Sequence, residues 1–337
     1  MDFNHTEERR MLADSLRRTL ERGATWADLA DLGVLGALFT ETEGGFGGHG
    51  FDIAVVFEEL GRAGCTLPVL ESGLAGGLLA DAGRADLVER IVAGDLKATL
   101  AYAEPGLRHD LGPITTAANG GTVSGRKSFV THADEADLLV VTALDEGMVK
   151  LFAVDPKGPG VTPMTTPALM GGTISEVTLD RAPAQALGPA DTLEARIAAA
   201  TLAVCADTLG VMETVKAMTL DYLRTRRQFG VPIGKFQALQ HRMADVAIEI
   251  EMARSAVINL AGNLHDAAPT RDRHVSAAKH LIGRTAHLVA EEAIQMHGGI
   301  AMTEEYALAP LARRLTAADS RFGDEDWHLE RFIRLSA

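Results

Sequence analysis

The sequence predicts an α+β chain in three parts: an N-terminal helical domain over residues 1–97, a small central β-barrel or sandwich over 98–190, and a C-terminal helix bundle over 191–337. Three observations lead there. Helical hydrophobic spacing fills both ends of the chain, short β-like segments crowd its middle, and Gly, Asn, Asp and Pro mark the joins. A length of 337 residues is ample for more than one buried core.

Residues 4–96 are helical in pattern, with breaks at Gly23, at the glycine-rich stretch 44–50 and around Pro68. The run GFGGHG (45–50) formally matches G-x-G-x-x-G, but no strand-helix-strand unit surrounds it, so it reads as a loop between helices. Residues 99–103, 114–118, 122–124, 128–131, 138–142, 149–154 and 176–179 read as short strands parted by turns such as Asn119-Gly120-Gly121. From Asp191 onward, residues 197–226, 236–263, 272–297, 304–317 and 325–335 form long amphipathic helices with short connections.

Composition narrows the function classes. With 47% hydrophobic and 23% charged residues the chain is an ordinary globular one, and its net charge of -14 argues against nucleic acid or an anionic membrane surface as partner. Cys65 and Cys205, far apart in apolar surroundings, read as reduced core residues, and no Cys/His pair has metal spacing. The N-terminus reads as a charged helix rather than a signal peptide, and no apolar run approaches the roughly 18–20 residues of a membrane span, so a cytoplasmic protein is expected.

The stretch DYLRTRRQFGVPIGKFQALQHRMAD (221–245) carries the most chemistry. One helix ends, a connection with Gly230, Pro232 and Gly234 follows, and a second helix starts with the stripe Phe236, Leu239, Gln240 and Met243. Arg224, Arg226 and Arg227, then Gln228 and Phe229, bring together guanidinium, amide and aromatic ring, a grip for an anion with a flat ring attached. The same residues also read as a plain helix end with basic groups that suit the macrodipole.

Here the chain resembles the acyl-CoA dehydrogenase family, whose flavoenzymes carry R-x-Q/T-F-G-x-P-I/L-x-x-F-Q-x-x-Q/K, matched by Arg226, Gln228, Phe229, Gly230, Pro232, Ile233, Phe236, Gln237 and Gln240. A second family stretch appears downstream as AIQMHGGIAMTEEY (293–306), and residues 26–63 and AYAEP (101–105) are similar to the family's N-terminal helices and the strand opening its flavin domain. The resemblance implies FAD as cofactor, an acyl-CoA substrate, an electron-transfer flavoprotein or similar acceptor, and a flavin site shared between subunits. It assigns Arg226 and Gln228 to the pyrophosphate, Phe229 to the adenine region, and Gln295 and Gly299 to the closing helix end, though HGG also reads as a simple helix cap. Phe129 and Thr131 match the residues flanking the flavin ring.

The same resemblance exposes losses. Where the family has the Thr of T-E-P and a following G-S-D segment, this chain has Ala103 and Arg108, His109 and Asp110. The two places from which the family supplies its catalytic carboxylate fall at Ala200 and Phe322, neither of which can take a proton. Asp324 and Glu325 are the fallback bases, with Asp319 and Asp326 nearby, although DED also reads as an acidic first helical turn. His241, His265, His280 and His287 read as surface or core residues. The expectation is a non-catalytic subunit that lends its FAD clamp to a catalytic paralogue, as in the heterotetrameric actinobacterial enzymes acting on steroid side-chain CoA thioesters. The alternatives are a self-sufficient homo-oligomeric dehydrogenase and a flavin-free interaction protein.

Overall fold

The computed structural model describes residues 6–337 except Arg108 and Glu304. Helices α1 (Glu7–Leu20), α2 (Trp26–Asp31), α3 (Gly50–Arg62), α4 (Val69–Asp81) and α5 (Ala85–Val92) come first. Strands β1 (Ala98–Ala101), β2 (Ala117–Asn119), β3 (Thr122–Thr131), β4 (Leu138–Asp145), β5 (Met148–Val154), β6 (Val161–Pro167) and β7 (Thr173–Pro189) follow. Then α6 (Leu193–Thr225), a hairpin of β8 (Arg227–Gln228) and β9 (Val231–Pro232), α7 (Gln237–Asn263), α8 (Ala268–His297), α9 (Leu308–Ala318) and α10 (Glu325–Ser336) complete the chain. It divides into two compact units, one made of the chain up to Gly23, Gly50–Cys65 and Thr201–Ala337, the other of Ala24–His49 and Thr66–Ala200.

In the second unit the strands close on themselves. β4 pairs with β5, β5 with β7, β7 with β3 and β3 with β2, and the single parallel bridge Ala117↔Leu144 returns β2 to β4. Closure follows from the inward-facing residues, since Val123, Val130, Leu139, Val141, Phe152, Val154, Val177 and Leu179 share one core. The barrel is therefore the expected small β domain, with β1 laid parallel along β4. Three segments differ from the sequence reading. The two short strands expected at 122–124 and 128–131 are one strand, β3. β6, VTPMTTP, is an additional strand: it pairs only with β7, so Pro163 and Pro167 sit where a missing N–H leaves no ladder bond unmade. β7 runs 17 residues instead of four, because its two halves serve different partners, β3 and β6 first and then β5.

The first unit is helical, and small residues set its closest crossings. A side chain on Gly61 would meet the Asp207 carbonyl at 1.9 Å, and one on Gly210 the Glu58 carbonyl at 2.0 Å, so α3 and α6 cross at backbone contact. Arg254 on α7 ties the same place together, reaching Glu58 at 2.9 Å and Glu213 at 2.8 Å. Helix α6 is the one described helix long and apolar enough to cross a membrane, contrary to the expectation that no segment qualifies; 72% of its most apolar window is buried inside the protein, which marks it as a core helix. The last two helices begin at Leu308 and Glu325, close to the boundaries that the periodicity predicts.

Candidate functional site

The connection after α6 is a built hairpin. Arg226 donates its N–H to the Tyr222 carbonyl (2.8 Å) and accepts from Ile233 N–H (2.8 Å), and β8 and β9 pair through Arg227↔Pro232 and Gln228↔Val231. Its two turn residues, Phe229 and Gly230, both have positive φ (52° and 83°), as a tight two-residue hairpin requires. Glycine does this freely; phenylalanine pays in backbone strain. Yet Phe229 is 91% exposed, its ring set edge-on to Phe236 with centroids 6.1 Å apart, so the fold recovers little burial in return. The guanidinium of Arg227 pins the turn by donating to the Gly230 carbonyl (2.9 Å).

A second helix end lies beside this hairpin. Helix α8 stops at His297, where Gly298 (φ 68°) donates its N–H back to Ile294, and Gln295 and Gly299 are exposed there. The two ends touch, for the Tyr222 ring stacks on the His297 imidazole at 4.5 Å and 27°. Among the described residues the side chains of Arg226 and Gln295 have no hydrogen-bond or ion-pair partner, whereas Arg196, Arg242, Arg254, Arg314 and Arg331 each reach a carboxylate. On the hairpin the Gln228 amide donates to the Arg227 carbonyl (2.8 Å); the free guanidinium and exposed ring there, with the Gln295 amide at the end of α8, suit a phosphate-linked aromatic group from outside the chain. The residues that the resemblance assigns to the nucleotide end of FAD thus fit that role, and Gly299 leaves open space around it.

The barrel holds the residues matched to the ring side. Phe129 is 68% exposed with φ 55°, at the bulge where the β3–β7 register slips between Lys127 and Val130. Thr131 is half-buried, its carbonyl accepting from the Thr99 hydroxyl (2.8 Å). Ser128 spends its hydroxyl on Glu176 (2.7 Å) and its N–H on the Ala103 carbonyl (2.9 Å), and Ala103 itself offers no side-chain donor. Arg108 lies outside the described residues; His109 is half-buried and Asp110 exposed.

Sequence reading passed over a pair at the same end of the barrel. Lys127, 0% exposed, donates to Glu104 (2.7 Å), Thr142 (2.9 Å) and the Tyr102 carbonyl (3.3 Å). Glu104 also accepts from Thr115 N–H (2.7 Å) and Thr116 N–H (3.0 Å). Burial lowers Lys127 to about 8 against the pull of Glu104. Burial works to raise Glu104, but the bonds from Lys127, Thr115 and Thr116 overcome it and hold the carboxyl at about 2. The available signal was a lysine at an inward-facing strand position, with Val123 four residues before it on the same face.

The two base positions carry no ionisable group. Ala200, 4% exposed, presents a methyl from α6. Phe322 (φ 57°) lies under the Arg321 guanidinium at 5.3 Å, and its carbonyl accepts from His328 Nε2 (3.0 Å). Lys279, also fully buried, secures this loop by donating to the Asp319 and Gly323 carbonyls (2.7 Å each). Asp324 is the N-cap of α10, its carboxylate accepting from Trp327 N–H (2.9 Å). Asp319 faces Lys279 and His287 at 3.7 Å, Asp326 is exposed, and Glu325 has one buried oxygen, Oε2, without a partner among the described residues.

A helical N-terminal part, a small β-barrel and a long-helix C-terminal part with an Arg-x-Gln-Phe-Gly hairpin make the architecture that the sequence resemblance to acyl-CoA dehydrogenases implies. The chain belongs to the acyl-CoA dehydrogenase family: its residues 6–95 match the description "Acyl-CoA dehydrogenase, N-terminal domain" and residues 191–334 "Acyl-CoA dehydrogenase, C-terminal domain". It is 31% identical to the acyl-CoA dehydrogenase FadE28 of Mycobacterium tuberculosis over 91% of each chain. Among solved structures it is similar to a Tcur3481-Tcur3483 steroid ACAD variant (29% identity, TM-score 0.90, 98% of each chain). It is equally similar in fold to the ChsE4-ChsE5 complex from Mycobacterium tuberculosis (27% identity, TM-score 0.90, 99% of this chain and 98% of that one). Homologues in the family bind FAD.

Proposed function

We propose that this chain is a non-catalytic subunit of a hetero-oligomeric acyl-CoA dehydrogenase, lending the adenine and pyrophosphate clamp of FAD to a catalytic paralogue that desaturates a CoA thioester. The observation that carries the reading is a combination: the strained, exposed hairpin with Arg226, Gln228 and Phe229 is kept, while the base positions are Ala200 and Phe322. FAD, when bound, supplies the hydride acceptor; the α proton of the thioester then needs a carboxylate from the partner subunit. Similarity to a steroid ACAD supports a steroid thioester as the substrate class; a steroid side chain, an electron-transfer flavoprotein acceptor and a cytoplasmic setting are part of the proposal on the sequence reading alone. A second reading, a self-sufficient homo-oligomer, has one observation in its favour, the buried Glu325 Oε2 that lacks a partner among the described residues. Asp324 is already committed to its helix cap.

Co-expression with the neighbouring genes tests this. The chain alone should purify colourless and without desaturase activity, and a paralogue should co-purify with it as a yellow, active complex. In that complex Arg226→Ala should loosen FAD while leaving the assembly folded, since a hydrogen bond to a charged group is worth about 1.5–3 kcal/mol. Stoichiometric FAD and turnover in the chain alone would establish the second reading instead.

A further inference from the structure

The two halves of the clamp are joined by three rings. Tyr222 lies one helical turn before Arg226 and accepts its backbone N–H. Its ring stacks on His297 (4.5 Å, 27°), His297 tilts against Tyr306 (5.4 Å, 52°), and Tyr306 meets Tyr222 edge-on (6.4 Å, 61°). His297 sits midway between Gln295 and Gly299 in the chain, and it is 4% exposed. Its Nδ1 lies 2.8 Å from the Ala293 carbonyl, which can only accept, so Nδ1 carries the proton. Nε2 is then the lone-pair nitrogen, and it is buried without a partner among the described residues. One nitrogen therefore orients the ring from one turn back on α8, and the other has no partner among the described residues. Burial lowers the pKa of His297 from 6.5, so the neutral imidazole is the form that packs at neutral pH. What the side chain contributes is an oriented flat surface.

We infer that His297 is a positioning residue of the nucleotide clamp: its ring, oriented by Ala293 and stacked on Tyr222, sets the end of α8, with Gln295 and Gly299, against the end of α6, with Arg226. It acts through those residues, because its own free nitrogen is sealed from any ligand. This inference rests on the FAD-clamp reading above.

The test is the FAD dissociation constant of the flavinated oligomer in which the chain purifies, measured by titrating FAD into the apo-oligomer, with thermal unfolding recorded alongside. His297→Phe keeps a flat ring on Tyr222 and should stay within about threefold of the parent, whereas His297→Leu should weaken FAD roughly tenfold. Rescue by the phenyl ring is the outcome a merely space-filling residue would not give. The inference is overturned if His297→Leu leaves FAD affinity within threefold in a folded oligomer, or if both variants weaken FAD equally and in step with their melting temperatures. Should His297→Leu fail to assemble, Tyr306→Leu, at a half-buried position, takes its place: weakened FAD supports the inference and unchanged FAD overturns it. Arg226→Ala separates the two levels. If it weakens FAD while His297→Leu does not, only the inference falls; if it does not weaken FAD, the clamp reading itself falls.

Discussion

An exposed phenylalanine in the left-handed region is a poor choice for stability, which makes Phe229 the residue where fold and function part most clearly. A left-handed non-glycine residue costs about 1–2 kcal/mol, and Asn bears that conformation better than most. Phe229→Asn should therefore raise the melting temperature of the flavin-free chain, by up to about 1 kcal/mol in stability, while weakening FAD in the complex. A variant with lower stability and unchanged FAD affinity would make the ring a folding element after all. Glu104 behaves in the opposite way. Its carboxyl is held at about 2 in the fold against an ordinary 4.5, so its stabilising contribution is complete above pH 4.5 and is lost as pH falls from there toward 2. Glu104→Gln should flatten that acid limb, and at neutral pH should destabilise the fold by roughly 3–5 kcal/mol, because buried Lys127 loses its counter-charge and must shed its proton. Urea unfolding across the acid range measures both effects.

Among the elements, a tight connection between two helices was legible because Gly230, Pro232 and Gly234 mark a turn and the Phe236 stripe announces the next helix; that the connection pairs as a hairpin was not read. Strand β6 was not legible, since its two prolines argue against a strand unless one already knows that it lies on an edge. The full length of β7 was hidden for a related reason: Pro183, Gly188 and Pro189 look like a loop, and only pairing with β3 at Pro183 and then with β5 at Gly188 and Pro189 makes them strand. The aromatic join of Tyr222, His297 and Tyr306 was also beyond the sequence, because three rings on separate segments have no common period. Helix α10 shows an ambiguity that structure resolves. Asp324 could be a base or a cap by sequence; its carboxylate is bonded to Trp327 N–H. Asn caps as well as Asp, so Asp324→Asn should leave both the melting temperature and the turnover of the complex nearly unchanged, while Asp324→Ala should cost about 1 kcal/mol. Losing a general base instead lowers turnover roughly 100- to 10,000-fold, so a collapse of that size on Asp324→Asn in a folded, flavinated complex would place the base in this chain.

At the scale of the whole molecule, the proposed function gives the chain one end of a cofactor site and not the other. On that proposal the nucleotide end is Arg226, Gln228, Phe229, Gln295 and Gly299. At the ring end the Ser128 hydroxyl is committed to Glu176, Ala103 has no donor, and neither Ala200 nor Phe322 can accept a proton. In a closed assembly of unlike subunits, each pair of chains then offers two nucleotide clamps but can complete only one kind of site, the one whose ring end and base come from the partner. The proposed hetero-oligomer should accordingly hold half as many flavins as chains. Flavin released by heat and counted against the protein measured by amino-acid analysis checks this directly. A ratio of one FAD per chain would mean that Phe129 and Thr131 complete a ring site without the usual donors, and that the partner supplies a clamp in return. Such a result would leave the hairpin's role intact and move the asymmetry from cofactor binding to proton transfer, where Glu325→Gln becomes the deciding substitution: turnover per flavin should fall by orders of magnitude if this chain's own sites are active, and should stay within a few-fold if they bind FAD without using it.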